Sequence, residues 1–213
     1  MATLLIQRAE KLLEEGDSSE VSMNDLLTLF SDLINEQYFD KQVLMLKESE
    51  AGGLPLVILQ NLLGMPQKAG RFQEEITKIK TGLGIKETAD INSATLEKLE
   101  QARRDYLCSL EKSHPWLLEN LLVNWLLTSL FPISKRRISD GWLDLITRYL
   151  LIRTLLAGLG AHQQQLTVDD ATRLIYLFAR NVNSNPIKLQ NLQLALVGKN
   201  LNQPAALVHA LQL

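Results

Sequence analysis

Apolar residues recur along this chain at steps of three and four, the spacing that gathers side chains on one face of a helix with 3.6 residues per turn. Leu5, Ala9, Leu12 and Leu13 share such a face until Gly16-Asp17-Ser18-Ser19 stops the run. Ser22 then offers a side-chain oxygen to the free amides of a new first turn, with Asp25 beside its positive dipole end. Leu26, Leu27, Phe30, Leu33 and Ile34 carry that helix to about Gln37. A further helical piece from Asp40 to Gly52-Gly53 follows, and Leu54 to Leu63 reads as a helix, with a buried strand the weaker alternative. Gly64-Met65-Pro66 closes it. The charged run Gln67 to Lys80, with Phe72, Ile76 and Ile79 on one side, reads as a superficial helix.

Small polar residues and two glycines between Thr81 and Ser93 suggest a hinge, so residues 1–213 read as one helical domain with a weak subdomain boundary near 81–93. Leu96, Leu99, Ala102, Tyr106 and Leu110 place a long amphipathic helix over Ala94 to Ser113. Pro115 suits the first turn of the next helix, because it lacks the amide hydrogen that would go unpaired there. Trp116 to Phe131 is apolar enough for a buried core helix, but Glu119, Asn120, Asn124 and the closing Pro132 make it too short and too polar to span a bilayer.

After the basic loop Ser134-Lys135-Arg136-Arg137, Asp140 is expected to cap a helix that buries Trp142, Leu145, Ile146, Tyr149, Ile152 and Leu156 and ends near Leu159 at Gly158 and Gly160. Thr167, with Asp169 and Asp170, opens a helix through Arg180, which Asn181 to Pro186 ends. Two shorter helices lead to Leu213. The pattern therefore predicts an all-α irregular bundle of roughly nine or ten helices, with no sheet and no 20–50-residue repeat.

Composition narrows the function classes. With 46% hydrophobic and 22% charged residues the chain folds, and 22 lysines and arginines against 24 acids leave a net charge of −2, far from a phosphate-tracking surface. Nucleic acid is not an expected partner, nor is a membrane. A lone cysteine, Cys108, supplies no disulfide or thiolate cluster, which points to the cytoplasm. His114, His162 and His209 have no metal-ligand spacing around them, so no metal site is expected. Gly82-Leu83-Gly84 and Gly158-Leu159-Gly160 follow helices, not strands, and read as left-handed helix caps instead of nucleotide loops.

Three polar groupings could carry function. Glu119, Asn120 and Asn124 on so apolar a helix are either an interhelical hydrogen-bond network or a polar ridge facing a substrate. Arg148, Arg153, Arg173 and Arg180 are either stems laid over apolar surface or donors converging on a carboxylate. Lys135-Arg136-Arg137 is a solvated loop or a grip for an acidic partner or a phosphate.

The run His114-Pro115-Trp116-Leu117-Leu118-Glu119-Asn120-Leu121-Leu122-Val123-Asn124-Trp125, closing in Leu130-Phe131-Pro132, resembles the Glu-Asn-x-Leu-Val-Asn-aromatic segment of flagellin lysine N-methylases. Arg148-Tyr149-Leu150-Leu151 and Phe178-Ala179-Arg180-Asn181 are similar to the helices that follow that segment, so the resemblance runs from about Ser113 to Asn185 and covers the first hundred residues loosely. Two departures stand out. Asn181-Val182-Asn183-Ser184 occupies the place of a histidine-containing helix end, and the family's cysteine-rich N-terminal segment is missing.

The resemblance implies the C-terminal part of a bacterial protein-lysine methyltransferase acting on flagellin, with a metal-binding, cysteine-rich half preceding Met1. It implies S-adenosylmethionine and an iron–sulfur cluster for the full-length enzyme, and flagellin and the cysteine-rich half as partners. Glu119 becomes a candidate to orient the acceptor amine, and Asn120, Asn124, Arg148, Tyr149 and Arg180 become candidates for substrate or partner binding. A non-enzymatic helical adaptor for a partner helix is the competing expectation. A ligand-sensing regulator is disfavoured by the lack of a basic helix-turn-helix.

Overall fold

The computed structural model describes residues 2–15, 22–36, 53–64, 70–131, 137–183 and 186–198. These form nine helices and, among the described residues, no strand. They are α1 (Ala2–Glu15), α2 (Met23–Asn35), α3 (Gly53–Gly64) and α4 (Arg71–Leu83), followed by α5, which runs unbroken through Ser93–Ala102, a π-helical turn Arg103–Leu107, and Cys108–Ser113. Next come α6 (Trp116–Thr128), α7 (Ile138–Gln163), α8 (Val168–Phe178, ending in the π-helical turn Ala179–Asn183) and α9 (Pro186–Gly198). The helix expected from Asp40 to Gly52, the stop at Gly16 to Ser19, loop residues Ser134 to Arg136 and the chain beyond Gly198 lie outside the described residues.

The fold is organised around α7. Every residue from Asp144 to Thr147 and from Leu150 to Gly160 is buried, so the helix is enclosed on all sides from Leu150 to Gly160. Its most extensive neighbour is α4, which contributes Phe72, Ile76, Ile79 and Leu83 to the core; the charged run expected to be superficial is thus a central helix with one wet face. The reason is glycine. A Cβ on Gly82 would stand 2.5 Å from the His162 amide nitrogen and 2.9 Å from the Gly158 carbonyl oxygen, and one on Gly158 would stand 2.6 Å from Ile79 Cγ2. Gly160 likewise leaves room for Tyr106, whose Cβ lies 2.8 Å and whose ring lies 3.2 Å from where a Cβ on Gly160 would be.

Gly158 and Gly160 therefore lie inside α7, which continues to Gln163 and ends on Gln164 in the left-handed region (φ 57°). Of the two glycine pairs read as caps, only Gly84 is one: at φ 72° it closes α4, and the Ile85 amide donates back to the Lys80 carbonyl at 2.8 Å. Ile85 and Ile91 on either side of the 3₁₀ turn Thr88–Asp90 bury into the same core as α3 to α9.

The π-helical turn in α5 explains why its buried face departs from a simple three-and-four rhythm. Thr95, Leu99 and Ala102 are buried at ordinary steps, and the next buried residue is Leu107, five on, because the i→i+5 bonding inserts one extra residue. Tyr106, expected on the core face, is displaced toward Gly160 and donates its hydroxyl hydrogen to Gln164 Oε1 at 3.0 Å.

Caps follow the sequence in part. Ser22 Oγ accepts from the Asp25 amide while Asp25 Oδ2 accepts from the Ser22 amide, each at 3.2 Å, and Thr167 Oγ1 accepts from the Asp170 amide at 3.1 Å. Asp140 is not the cap of α7. Arg137 holds that position, and the cap comes from another helix: Glu10 Oε1 of α1 accepts from the Ser139 amide at 2.8 Å, and Glu14 accepts from Arg137 Nη2 at 2.9 Å. Leu12, Leu26 and Phe30, with Leu5 and Ala9, form a small second core where α1 meets α2; Leu27, expected on that face, is exposed.

Glycine to alanine inside a helix ordinarily stabilises by about 1 kcal/mol. Gly82→Ala should do the opposite, costing about 1–3 kcal/mol in chemical denaturation, because its new methyl meets backbone that cannot move aside. A neutral or stabilising result would contradict the close approach of α4 and α7.

Candidate functional site

The helix that carries the polar-on-apolar segment, α6, buries Leu117, Leu118, Leu121 and Trp125, packs half-buried Leu122 and Leu126 beside them, and turns its remaining face to solvent. It is a surface helix, not the buried one its composition suggests. Trp116 is 47% exposed, Val123 48% and Leu127 70%. Glu119, Asn120 and Asn124 are exposed among them, and no described residue hydrogen-bonds their side chains. Among the described residues these side chains form no interhelical network; they make an outward ridge in which amides and a carboxylate alternate with large apolar groups. Among the described residues, no helix is long and apolar enough to cross a membrane.

Where α6 ends against the first turns of α7, a cleft of about 370 Å³ opens. Trp125 and Leu145 supply apolar walls, and Thr128, Ser129, Asp144 and Arg148 line it with polar groups. Asp144 is its most buried polar residue, at 8% exposure. Arg148 Nη2 donates to Asp144 Oδ2 at 2.9 Å, and Gln193 Nε2 of α9 donates to Oδ1 at 3.0 Å, so this carboxylate also pins the last described helix to the central one. Two neighbouring buried atoms, Thr147 Oγ1 and Arg148 Nε, have no hydrogen-bond partner. Such orphans cost about 1–3 kcal/mol each and are uncommon where packing alone sets the structure.

The end of α6 is strained at the mouth of this cleft. Leu130 takes a left-handed conformation, φ 52°, and the Phe131 amide donates to Leu126 O at 3.1 Å while the Leu130 amide donates to Leu127 O at 3.2 Å. This is the double-bonded helix stop that usually employs glycine. Here a leucine occupies it with its side chain 62% exposed.

The arginines do not converge on a shared carboxylate. Arg148 pairs with Asp144 in the cleft, Arg153 pairs with Glu111 of α5 at 2.9 Å, and Arg173 pairs with Asp170 at 2.8 Å and lies 3.4 Å from Glu75. Tyr149 points away from the cleft, its ring 5.6 Å below the Arg153 guanidinium. Burial pushes its phenol above the ordinary tyrosine value, the nearby Arg153 pulling the other way. Arg180, on the π-helical turn of α8, lies over Tyr176 and donates to its hydroxyl at 3.0 Å. Of the residues singled out from sequence, Arg148 lines the cleft and Asn124 lends its backbone carbonyl to Thr128 at its rim. Glu119 and Asn120 continue the ridge away from it, and Tyr149 and Arg180 stand apart.

Asp144, Thr128, Ser129 and Gln193 were not anticipated. The Asp144–Arg148 spacing of four on a helix otherwise bound for the core was the signal available for the first. Gln193 has no local signal, being 49 residues from its partner.

Comparison decides the family. The family model of the FliB lysine N-methylase C-terminal domain matches residues 1–210. The chain belongs to this family. The match takes in the first hundred residues as well, where the resemblance in sequence was loose. No curated protein and no solved structure matches the chain.

The resemblance in sequence implies an iron–sulfur cluster for the full-length enzyme, and the residues of this chain do not fit one: its single cysteine, Cys108, is half-buried, with Arg103 Nη1 3.7 Å from Sγ. Among the described residues, no three His, Cys, Asp or Glu side chains converge on a point that could hold a metal ion. A second cavity, of about 30 Å³ between Leu54, Leu99, Leu150 and Arg153, has room for about one water.

Leu130→Gly should raise stability by about 1 kcal/mol in thermal or chemical denaturation, since a left-handed leucine is strained and little packing is lost with its exposed side chain. A loss of stability would show that Leu130 packs against something the exposure does not reveal.

Proposed function

We propose that this chain is the substrate-recognition portion of a cytoplasmic protein-lysine methyltransferase acting on flagellin. The observation that carries the reading is the ridge of α6: the polar residues of the family segment face solvent and do no work in the described fold. Residues unnecessary to packing, set among exposed Trp116, Val123 and Leu127, have the mix of apolar anchors and amide donors and acceptors that a protein partner reads.

In this reading Asn120 and Asn124, one turn apart on one face, pair with polypeptide backbone or side-chain amides of the substrate. Glu119 attracts the basic side chain that is to be modified. A lysine amine must be neutral to attack a methyl donor, and its ordinary pKa is about 10.4. The deprotonation and the transfer are assigned to the complete enzyme, with S-adenosylmethionine and the cluster held largely by residues outside this chain. Arg148 belongs to the adjoining cleft, whereas Tyr149 and Arg180 serve the packing of α7 and α8. The adaptor reading draws on the same ridge and on exposed Ile187, Leu194 and Val197 of α9, and is separated from the first by what binds.

Mixed with flagellin monomer, the chain should bind in the micromolar range by calorimetry, and Asn120→Ala/Asn124→Ala should weaken binding at least about tenfold, or about 1.4 kcal/mol. The double variant should unfold within about 0.5 kcal/mol of the parent, because its amides are exposed. No interaction with flagellin, or a double variant that binds normally, would overturn the reading.

A further inference from the structure

We infer that the α1–α2 hairpin is a salt-released latch: a lobe with its own small core that docks on the first turn of α7 through two carboxylates and detaches as a unit when their charge is screened. The inference stands apart from the recognition reading, since it concerns neither the ridge of α6 nor what binds there.

The hairpin is self-contained. Leu12, Leu26 and Phe30 pack on one another and on Leu5 and Ala9, and none of these belongs to the larger core that α3 to α9 build. Among the described elements α2 packs extensively only on α1, and α1 meets the body of the fold at α7. Residues 37–52, which connect the hairpin to α3, lie outside the described residues. Two helices that share an apolar seam of their own can leave as one piece without opening the main core.

The joint is built on two carboxylates. Glu10 and Glu14 stand one turn apart on one face of α1. Glu10 Oε1 accepts from the Ser139 amide at 2.8 Å, and Glu14 Oε1 accepts from Arg137 Nη2 at 2.9 Å. Arg137 holds the cap position of α7 in extended backbone and its side chain makes no capping bond, so a carboxylate from α1 meets the positive end of this 26-residue helix. The hydrogen bond and charge of Glu14, then the charge of Glu10, hold the Arg137 guanidinium above its ordinary value.

These contacts lie open to ions. The Arg137 and Glu14 side chains are 59% and 64% exposed, the setting in which an ion pair contributes little and salt removes most of it. Neither apolar core depends on charge, so the joint is what salt selects. The turn that Glu10 caps leads into Gly141, which lines the cleft, and Trp142, whose ring lies 6.5 Å from that of Phe131 past the end of α6. Undocking frees the Ser139 amide and withdraws the support of α1 from this turn, so the state of the latch is felt at the cleft.

The full chain tests this with fluorophores at Leu27→Cys on α2 and Leu194→Cys on α9, both exposed positions, in a Cys108→Ser background. Between about 10 mM and about 1 M sodium chloride, where the Debye length falls from about 30 Å to about 3 Å, the distance between them should lengthen and its spread widen while helical content holds. Glu10→Ala/Glu14→Gln should give the open distribution already at low salt and speed exchange of the Ser139 amide at least about tenfold. Asp32→Asn, which removes a charge from an exposed position of α2, should do neither. A distance that ignores salt in the chain carrying both carboxylates would overturn the inference, as would a double variant that stays closed. So would opening that occurs only when the amides of Leu150 to Gly160 lose protection, because the hairpin would then come away with the core and not ahead of it.

Discussion

Two helix backbones touch where α4 crosses α7, and the remaining helices take their places from that contact. Gly82 and Gly158 leave no side chain between the helices, so Ile79 and Leu83 reach over α7 and the His162 amide comes within van der Waals range of α4. With α4 on one face and α3, α5, α8 and α9 packed on the others, α7 is enclosed from Leu150 to Gly160. Each leucine or isoleucine buried there contributes about 1.5–3 kcal/mol, making α7 the main store of hydrophobic stabilisation. The site inherits its geometry from this arrangement: Asp144 and Arg148 stand on the N-terminal half of the same rigid helix, and α6 docks across it through Leu117, Leu121 and Trp125.

Rigid support on one side and exposed chemistry on the other suit recognition. The floor of the cleft belongs to the enclosed helix, while its rim, Thr128 to Leu130, ends a surface helix in a strained left-handed turn. A strained turn, two of the six unpartnered buried polar atoms and several exposed large apolar residues fall within α6 and the facing turns of α7.

Helix existence was legible because the three-and-four rhythm is local. Ser22 and Thr167 were readable as caps for the same reason, each acting on an amide three residues away. What depended on a partner was not. Gly158 and Gly160 look like a helix stop until α4 and Tyr106 are known to press on them, and the charged helix α4 looks superficial until its glycine is seen to fit α7. The Glu10 cap on α7 comes from 129 residues away, beyond any local pattern. In α6, apolar residues surround the whole helix, so periodicity could not say which face was inside, and the outward direction of Glu119, Asn120 and Asn124 emerged only from its docking. Part of the cleft was within reach of sequence, through the Asp144–Arg148 pair; the part supplied by the end of α6, and the Gln193 bond that holds Asp144, were not.

The central claim is that α7 is the enclosed axis of the domain and α6 a helix laid on its outside. Native-state amide hydrogen exchange tests it residue by residue. Amides from Leu150 to Gly160 should be the slowest in the chain and exchange only through global unfolding, while those of α6 should exchange through smaller openings. Exchange from the middle of α7 as fast as from α6 would contradict the account.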